Sequence, residues 1–368
     1  MKRSSVIRAA SSVLFAIGAE SACSAPCVTT TPACAEWLGL APAGGPSRSL
    51  VYRTYALDVR NESITRALII VHGGSRNADG YYRSALAAGF LAGALDDTII
   101  IAPRFGSNNG DGCRDTLASN ELNFKCDPPS DWRTGGSAVG NDKVTSFDVA
   151  DGILIKLANK GTFPNLRAIV VAGHSGGAFF VTRYAMANQV HDRLGVPVTY
   201  VVANAGSFVY LDGLRPTPSA VPLTTPSAMP PSIAPPSNNP PPAFASYPDA
   251  RACTTYDSWP FGLHNRTGYS ARVSEEQLKT QSVARPTTYL LGRLDVLPLQ
   301  LDEWATCAAM AQGPTNLARG LAWAKYMQEK YGARHRMELV PLCGHNERCM
   351  FTSDVALPIL FPKGTGRP

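Results

Sequence analysis

The sequence is poor in charge and has no block of like-charged residues. Charged residues make up 17% of the 368, and the net charge of +6 is spread without a Lys/Arg cluster, so no nucleic-acid partner is expected. After the first 20 residues no apolar run reaches the roughly 18 residues of a membrane-spanning helix, so no transmembrane segment is expected. Neither C-x-x-C nor H-E-x-x-H occurs, and we therefore expect no metal and no organic cofactor. Because 45% of the residues are hydrophobic, a disordered chain and a coiled coil are excluded as well.

The first 22 residues have the pattern of an export signal. Three basic residues accompany an apolar core at 9–19, and small residues follow at 19, 21 and 22, as signal peptidase requires. We predict a signal peptide over 1–22 and a secreted or periplasmic protein. A lipid anchor on Cys23 is the alternative, but Glu20 stands where a lipoprotein signal normally has an aliphatic residue.

Nine cysteines agree with export, because disulfides form in oxidising compartments and not in the cytosol. Eight of them can be joined into pairs, with Cys23 left over at the predicted cleavage point. The pairs of this hypothesis are Cys27–Cys34, Cys113–Cys126, Cys253–Cys307 and Cys343–Cys349. Eight cysteines allow many other connectivities, and the sequence alone leaves these open.

Short apolar runs alternate with helical patterns along the chain. A segment of alternating polarity at 49–59 predicts a leading strand. Six nearly all-apolar runs are typical of strands buried on both faces of a parallel sheet; they lie at 67–71, 98–102, 168–172, 198–203, 287–291 and 337–340. Helical spacing of apolar residues occurs at 81–95, 146–157 and 316–331. This order predicts a doubly wound, mostly parallel α/β sheet in one domain over 49–368, after an extension at 23–48.

The segment from Pro216 to Pro242 interrupts the pattern. Eleven of its 27 residues are prolines, which excludes a helix or an interior strand. We predict an exposed loop inserted over 216–248 between two strands.

A G-x-S-x-G motif at 173–177 directly follows one predicted strand and precedes a helical pattern. This is the setting of a nucleophile elbow, in which the serine occupies a strained turn and the residues two positions away must lack side chains. The turn places the hydroxyl of Ser175 above the sheet, at a helix N-terminus that favours developing negative charge. We predict that Ser175 is a nucleophile; the alternative is an ordinary strand-to-helix turn.

The sequence His72-Gly73-Gly74-Ser75 follows the predicted strand at 67–71. In a fold with a nucleophile elbow, the loop after this strand supplies backbone N–H groups to an oxyanion hole. We expect an N–H of Gly74 or Ser75 to act together with the N–H of Gly176. The alternative is a tight turn that merely needs glycine.

Two loops near the C-terminal end of the chain contain the candidate acid and the candidate base. Asp295 follows the strand at 287–291, and His345 follows the strand at 337–340. A serine hydroxyl becomes nucleophilic when an imidazole takes its proton, and a carboxylate must orient that imidazole. The order Ser175, Asp295, His345 is the order expected of this fold. Asp302 and Glu303 are competing acids. The competing histidines are His72, His174, His191, His264 and His335.

The combination resembles the α/β-hydrolase superfamily from about residue 50 to the end of the chain. Within it, the stretches at 72–78, 145–148, 163–166 and 259–263 are similar to those of secreted bacterial and fungal serine hydrolases of poorly defined substrate. The resemblance implies an α/β-hydrolase fold with Ser175, Asp295 and His345 as its triad. The proline-rich insertion lies where such enzymes carry cap or lid elements.

The resulting prediction is a monomeric, secreted serine hydrolase that cleaves small or polymeric carboxylic esters through an acyl-enzyme intermediate. A serine peptidase or amidase, and a non-catalytic binding module on the same scaffold, remain as alternatives. Trp259, Phe261 and Tyr269 are candidates for an apolar acyl pocket, with packing under the insertion as the alternative.

Overall fold

The computed structural model describes residues 25–40, 46–109, 113–127, 129–217, 243–299 and 305–363. The predicted signal peptide, Cys23, most of the proline-rich insertion, and the competing acids Asp302 and Glu303 lie outside these residues. Over the described ranges, the strands are β1 Ala35–Gly39, β2 Arg48–Arg53, β3 Arg66–Val71, β4 Thr98–Pro103, β5 Ser137–Ala138, β6 Asn141–Thr145, β7 Ala168–His174, β8 Val198–Ala203, β9 Leu214–Pro216, β10 Phe244–Ser246, β11 Thr287–Gly292 and β12 Arg336–Val340.

Helices connect most of the parallel strands. They are α1 Ala78–Leu91, α2 Ser146–Ala158, α3 Gly176–Ala187, α4 Glu275–Ala284, α5 Cys307–Met310, α6 Asn316–Tyr331, α7 Glu347–Phe351 and α8 Leu357–Leu360. The start of α2 is fixed by a capping box, in which Thr145 and Asp148 each bond the other's backbone N–H.

Eight strands form one sheet in the order β1-β2-β4-β3-β7-β8-β11-β12. From β4 to β12 in this order, neighbouring strands run parallel. At one edge, β2 pairs antiparallel with β4, and β1 pairs antiparallel with β2. Each of the six apolar runs falls on a strand of this sheet, and helices cover both faces. The prediction of a doubly wound, mostly parallel α/β sheet is therefore confirmed.

Two hydrophobic cores lie on opposite faces of the sheet. In the central strands, alternate residues enter opposite cores; in β3, Ala67, Ile69 and Val71 join one core, and Leu68 and Ile70 join the other. The first core packs under α2, α3 and α6, and the second under α1, α7 and α8. Burying a large aliphatic side chain contributes about 1.5–3 kcal/mol, so the uninterrupted apolar runs hold both helical layers on the sheet.

The structure differs from the sequence expectations at both edges of the sheet. The run at 337–340 was expected to be buried on both faces, but as the edge strand β12 it buries only Val340. β1 lies within the segment predicted as an extension, and of its five residues only Leu38 is buried, which explains its weak pattern. The helix expected at 81–95 begins earlier, at Ala78, and ends at Leu91, close to Gly93 with its left-handed φ of 61°.

The ends of the proline-rich segment are held side by side. β9 and β10 form an antiparallel ribbon in which Pro216 pairs with Phe244, and the N–H of Thr217 donates to the carbonyl of Ala243 at 2.8 Å. Residues 218–242 lie outside the described part of the chain. The segment therefore leaves and rejoins the domain at one place.

Disulfides join the cysteines in the same four pairs as the hypothesis above, Cys27–Cys34, Cys113–Cys126, Cys253–Cys307 and Cys343–Cys349. The last pair connects the loop after β12 to α7. Across the described ranges, no helix combines the length and the hydrophobicity needed to cross a membrane.

Candidate active site

Ser175 lies in the turn between β7 and α3, with φ of 56° and ψ of −120°. A residue other than glycine in this left-handed region is strained, and the flanking glycines make the turn possible. A Cβ on Gly173 would overlap the carbonyl oxygen of Gly177, and a Cβ on Gly177 would overlap that of Val71 at the end of β3. The turn is therefore packed directly against the neighbouring strand, and only glycine fits on either side.

Three side chains from three strand ends form one hydrogen-bonded chain. Nε2 of His345 lies 2.9 Å from Oγ of Ser175, and Nδ1 of His345 lies 2.8 Å from Oδ2 of Asp295. Asp295 is buried, with 3% of its surface exposed. When Nδ1–H donates to the carboxylate, the lone pair of Nε2 faces the serine hydroxyl and can accept its proton. The structure thus brings together the three residues expected as a triad.

A second side chain holds the carboxylate. The amide N–H of Asn316, at the start of α6, donates to Oδ1 of Asp295 at 3.3 Å. The next residue, Leu317, donates its backbone N–H to the carbonyl of Asp295 at 3.1 Å. Both carboxylate oxygens are therefore engaged, and the beginning of α6 fixes the loop after β11.

Asn204, which follows β8, ties the acid and base loops together. It has a positive φ of 49°, which asparagine tolerates better than most residues. Its Oδ1 accepts the N–H of Gly292 at 2.7 Å, and its Nδ2 donates to the carbonyl of Gly344 at 3.0 Å. Because Gly292 precedes Asp295 and Gly344 precedes His345, this one side chain fixes the separation of the two loops.

A neutral histidine packs against the candidate base. His174 is buried, and its ring centroid lies 4.7 Å from that of His345. Burial, and to a lesser degree the charge of His345, lowers the pKa of His174 well below its usual value. Its Nδ1 lies 3.1 Å from the hydroxyl oxygen of Tyr81 on α1. The neutral ring of His174 therefore packs against His345 without adding a positive charge that would oppose protonation of His345.

The loop after β3 approaches the turn at Ser175. A Cβ built on Gly176 would lie 2.9 Å from the backbone nitrogen of Gly74, so the two glycines are neighbours, and both line the cavity in front of Ser175. Ser75 is exposed and is not among the described residues that line this cavity. Of the two residues considered for this loop, Gly74 rather than Ser75 is therefore placed beside Gly176.

His72 anchors the start of the same loop. The side chain is fully buried, its Nε2 accepts the N–H of Phe105 at 3.0 Å, and its ring centroid lies 4.6 Å from that of Trp132. Burial lowers the pKa of His72 to about 4. The ring is therefore neutral at physiological pH and acts as a fixed hydrogen-bond acceptor.

The remaining histidines lie elsewhere. Their partners are Tyr200 for His191, Asp257 for His264 and Tyr289 for His335. In the described part of the chain, no three His, Cys, Asp or Glu side chains are grouped so that they could hold a metal ion.

A cavity of about 180 Å³ opens in front of Ser175 and His345. Part of its wall is apolar, formed by Phe179, Phe261, Leu299 and Ala309; the charged side chains in the wall are Arg133 and Arg319. The cavity holds space for a small acyl or alcohol group beside the serine hydroxyl.

Of the three aromatic residues considered for an acyl pocket, only Phe261 is among the described residues lining the cavity. Trp259 is buried in the first core, with Nε1–H directed at the carbonyl of Thr134. The hydroxyl of Tyr269 donates to Asp151. Both are therefore packing residues.

Four side chains at this site lie outside the sequence motifs and were not predicted: Asn204, Asn316, Arg133 and Arg319. Asn316 and Arg319 lie on α6, and whether they face the site depends on how that helix packs on the sheet. Asn204 and Arg133 lie in two other parts of the chain. No local signal in the sequence marks Asn316, which directly follows Thr315, the N-cap of α6, because its burial depends on how α6 packs.

The alpha/beta hydrolase family model matches residues 68–357. A search of curated proteins found no match. Among solved structures, the chain is similar to LpqC, the poly(3-hydroxybutyrate) depolymerase from Bordetella parapertussis, with 18% identity and a TM-score of 0.53 over 85% of this chain and 84% of that one.

A second similar structure is poly(aspartic acid) hydrolase-1 from Sphingomonas sp. KT-1, with 20% identity and a TM-score of 0.53 over 89% of this chain and 98% of that one. At these identities the likeness concerns the fold. Since the family model covers well over half of the sequence, the chain belongs to the alpha/beta hydrolase family.

Proposed function

We propose that this protein is a serine hydrolase that cleaves carboxylic esters, with Ser175 as nucleophile, His345 as general base and acid, and Asp295 as the carboxylate that orients His345. The observation that carries the proposal is the hydrogen-bonded chain from Asp295 through His345 to Ser175 at the edge of a cavity. Membership of a hydrolase family supports the same reaction class.

In the first half of the reaction, Oγ of Ser175 attacks the ester carbonyl while its proton passes to Nε2 of His345. Asp295 stabilises the imidazolium that forms. The negative charge on the carbonyl oxygen is held by the N–H groups of Gly74 and Gly176. Removal of one such donor typically costs about 2.7–4 kcal/mol of transition-state stabilisation.

In the second half, Nε2–H of His345 protonates the departing alkoxide, and the alcohol leaves an acyl group on Ser175. Water then attacks the acyl carbonyl and gives a proton to Nε2 of His345. The acid departs as His345 returns that proton to Oγ of Ser175. Every proton in the cycle moves among Ser175, His345, substrate and water, so the proposed chemistry requires no metal or organic cofactor.

Esters are proposed ahead of amides because an alkoxide leaves more readily than an amine and demands less of the acid. The two similar structures are named for a polyester substrate and a polyamide substrate. Amide hydrolysis is therefore the alternative that the experiments must separate.

Labelling with a fluorophosphonate probe tests the nucleophile. The wild type and a Ser246→Ala control, which changes an exposed serine of β10, should both be labelled, and Ser175→Ala should not. If the wild type fails to react, the proposal is wrong and a non-catalytic binding module is favoured.

A substrate panel tests the reaction class. p-Nitrophenyl esters of increasing acyl length should be hydrolysed by the wild type and a His335→Gln control and not by His345→Gln, while peptide anilides should be poor substrates. Efficient anilide cleavage, with ester hydrolysis as a slow side reaction, would favour a peptidase or amidase instead.

We further propose that the protein is exported to an oxidising compartment. The four disulfides and the N-terminal sequence pattern support this location. The test is to alkylate the native protein before and after reduction and to count the free thiols from the mass added by the alkylating agent. Eight alkylated cysteines before reduction would contradict the proposal.

A further inference from the structure

The hydroxyl group of Tyr81 lies against the loop that carries the candidate oxyanion donor. Tyr81 is near the start of α1, and its side chain is buried. A Cβ built on Gly73 would lie 2.6 Å from the hydroxyl oxygen of Tyr81 and 3.7 Å from Cβ of Ser175. Gly73 is therefore packed closely against the tyrosine hydroxyl, beside the candidate nucleophile.

The same hydroxyl contacts the residue that precedes Ser175. Its oxygen lies 3.1 Å from Nδ1 of His174, at the end of β7. Burial and the charge of Glu347 raise the pKa of Tyr81 well above its usual value, while the backbone of Gly73 opposes this, as a hydrogen bond donated to the oxygen does. With the N–H of Gly73 as donor, the hydroxyl proton is left for Nδ1 of His174.

Two further hydrogen bonds hold the carbonyl of Gly73. Its oxygen lies 2.9 Å from Nδ1 of His72 and accepts the backbone N–H of Arg76 at 3.0 Å. Because Nε2 of His72 accepts the N–H of Phe105, Nδ1 carries the proton and is the donor. In a planar trans peptide, the carbonyl of Gly73 and the N–H of Gly74 point in opposite directions. The direction of that N–H is therefore fixed in advance.

The position of this peptide relative to the turn at Ser175 depends on a different contact. The backbone nitrogen of Gly74 would lie 2.9 Å from a Cβ built on Gly176, so the two N–H groups proposed for the oxyanion hole come from separate loops. The Tyr81 hydroxyl contacts Gly73 on one loop and His174 at the start of the other. It thus connects the two halves of the oxyanion hole.

From these contacts we infer that Tyr81 is a positioning residue, whose hydroxyl sets the distance between the N–H groups of Gly74 and Gly176. The inference rests on the proposed serine hydrolase function. Tyr81 is not among the described residues that line the cavity, and it acts through Gly73 and His174. Loss of the hydroxyl should therefore weaken stabilisation of the transition state and leave substrate binding unchanged.

Tyr81→Phe removes the hydroxyl and keeps the ring, and Tyr82→Phe is its matched control. Tyr82 is the next residue of α1, is fully buried, and donates its hydroxyl to the carbonyl of Cys27. Each variant loses one buried hydrogen bond, so both should have a lower melting temperature than the wild type. Only Tyr81→Phe should lose activity. We expect kcat for p-nitrophenyl butyrate to fall about tenfold with KM unchanged, since removal of a whole oxyanion donor costs about 10²–10³-fold.

A reversible inhibitor separates positioning from a merely structural role. 1,1,1-Trifluoropentan-2-one has the same carbon chain as the butyryl group. Oγ of Ser175 adds to its carbonyl carbon, the serine proton passes to Nε2 of His345, and the carbonyl oxygen becomes an alkoxide in the oxyanion hole. The inhibition constant Ki of this ketone should rise in Tyr81→Phe by the factor by which kcat/KM falls. In Tyr82→Phe it should stay within about twofold of the wild-type value.

A pair of substitutions tests the contact between Tyr81 and Gly73. In the wild type, the Cβ of Gly73→Ala would overlap the hydroxyl oxygen, so this substitution should lower the melting temperature. Without the hydroxyl, the nearest ring atom would lie 3.4 Å away, which is an ordinary contact. Gly73→Ala should therefore cost less in the Tyr81→Phe background than in the wild type or in Tyr82→Phe.

The outcomes separate this inference from the proposed function. Unchanged kcat and Ki in Tyr81→Phe, or equal changes in Tyr82→Phe, would overturn the inference while the hydrolase proposal stands. A fall in kcat without a rise in Ki, or an equal cost of Gly73→Ala in all three backgrounds, would overturn it too. Absence of fluorophosphonate labelling and of all ester hydrolysis in the wild type would instead overturn the proposed function.

Discussion

Asp151 is a buried carboxylate held between two tyrosines, and its titration should change the stability of the fold. It lies on α2, and its oxygens accept hydrogen bonds from Tyr184 on α3 at 2.7 Å and from Tyr269 at 2.5 Å. Burial raises the pKa of Asp151 from the ordinary 3.8 to about 6, although both tyrosine hydrogen bonds oppose the increase.

The sign of the effect follows from this raised pKa. Between pH 4 and pH 6 the folded protein binds the Asp151 proton more tightly than the unfolded chain does. The stabilising contribution is therefore complete below the unfolded pKa and is lost as the pH rises through about 6. The difference between the two pKa values corresponds to about 3 kcal/mol in the free energy of unfolding.

Urea unfolding at intervals from pH 4 to pH 8 measures this contribution when the wild type is compared with Asp151→Asn. The asparagine keeps the shape of the side chain and does not titrate. The free energy of unfolding of the wild type, relative to the variant, should fall by about 2 kcal/mol between pH 4 and pH 7. Asp58→Asn, which removes an exposed carboxylate, should change by less than about 1 kcal/mol over the same range. A constant difference between the wild type and Asp151→Asn would refute the reasoning.

Three further predictions concern the site. Gly177→Ala forces a Cβ into backbone atoms of β3 and should lower both the free energy of unfolding, by about 1–3 kcal/mol, and the rate of ester turnover. Gly39→Ala is the control, because its Cβ meets nothing within 4 Å, and it should change neither quantity. Equal effects of the two substitutions in thermal melts would contradict this prediction. Asn316→Ala removes a hydrogen-bond donor to the carboxylate of Asp295 and should lower kcat about tenfold with little change in KM. Steady-state kinetics in which KM rises and kcat is unchanged would count against this prediction. Replacing Cys343 and Cys349 together by serine removes a disulfide between positions six residues apart and should lower the free energy of unfolding by about 2 kcal/mol. An unchanged midpoint of urea unfolding would disprove this prediction.

The central sheet could be predicted because its signal is local. Strands such as β3 and β7 are buried on both faces, so their residues must be apolar whichever elements pack against them. The placement of Ser175, Asp295 and His345 at one edge follows for the same reason. Each residue comes just after a strand, and parallel strands end together.

The rest of the site could not be predicted because it depends on how elements dock. Asn316 and Arg319 reach the cavity through the angle at which α6 packs on the sheet, and Arg133 reaches it through a short turn whose position depends on Asp131. The edge strand β1 was missed for a related reason, since it buries one side chain and presents the others at the surface. Its sequence therefore carries little of the strand pattern.

The antiparallel ribbon of β9 and β10 has a consequence for how this chain can vary. Since Thr217 and Ala243 are hydrogen-bonded neighbours, a two-residue hairpin would span the same gap as residues 218–242. Insertions, deletions or a grafted peptide between Thr217 and Ala243 would leave the pairing of β9 with β10, and the rest of the domain, unchanged. The ribbon thus makes this position a suitable attachment point for foreign sequence on an otherwise unaltered hydrolase.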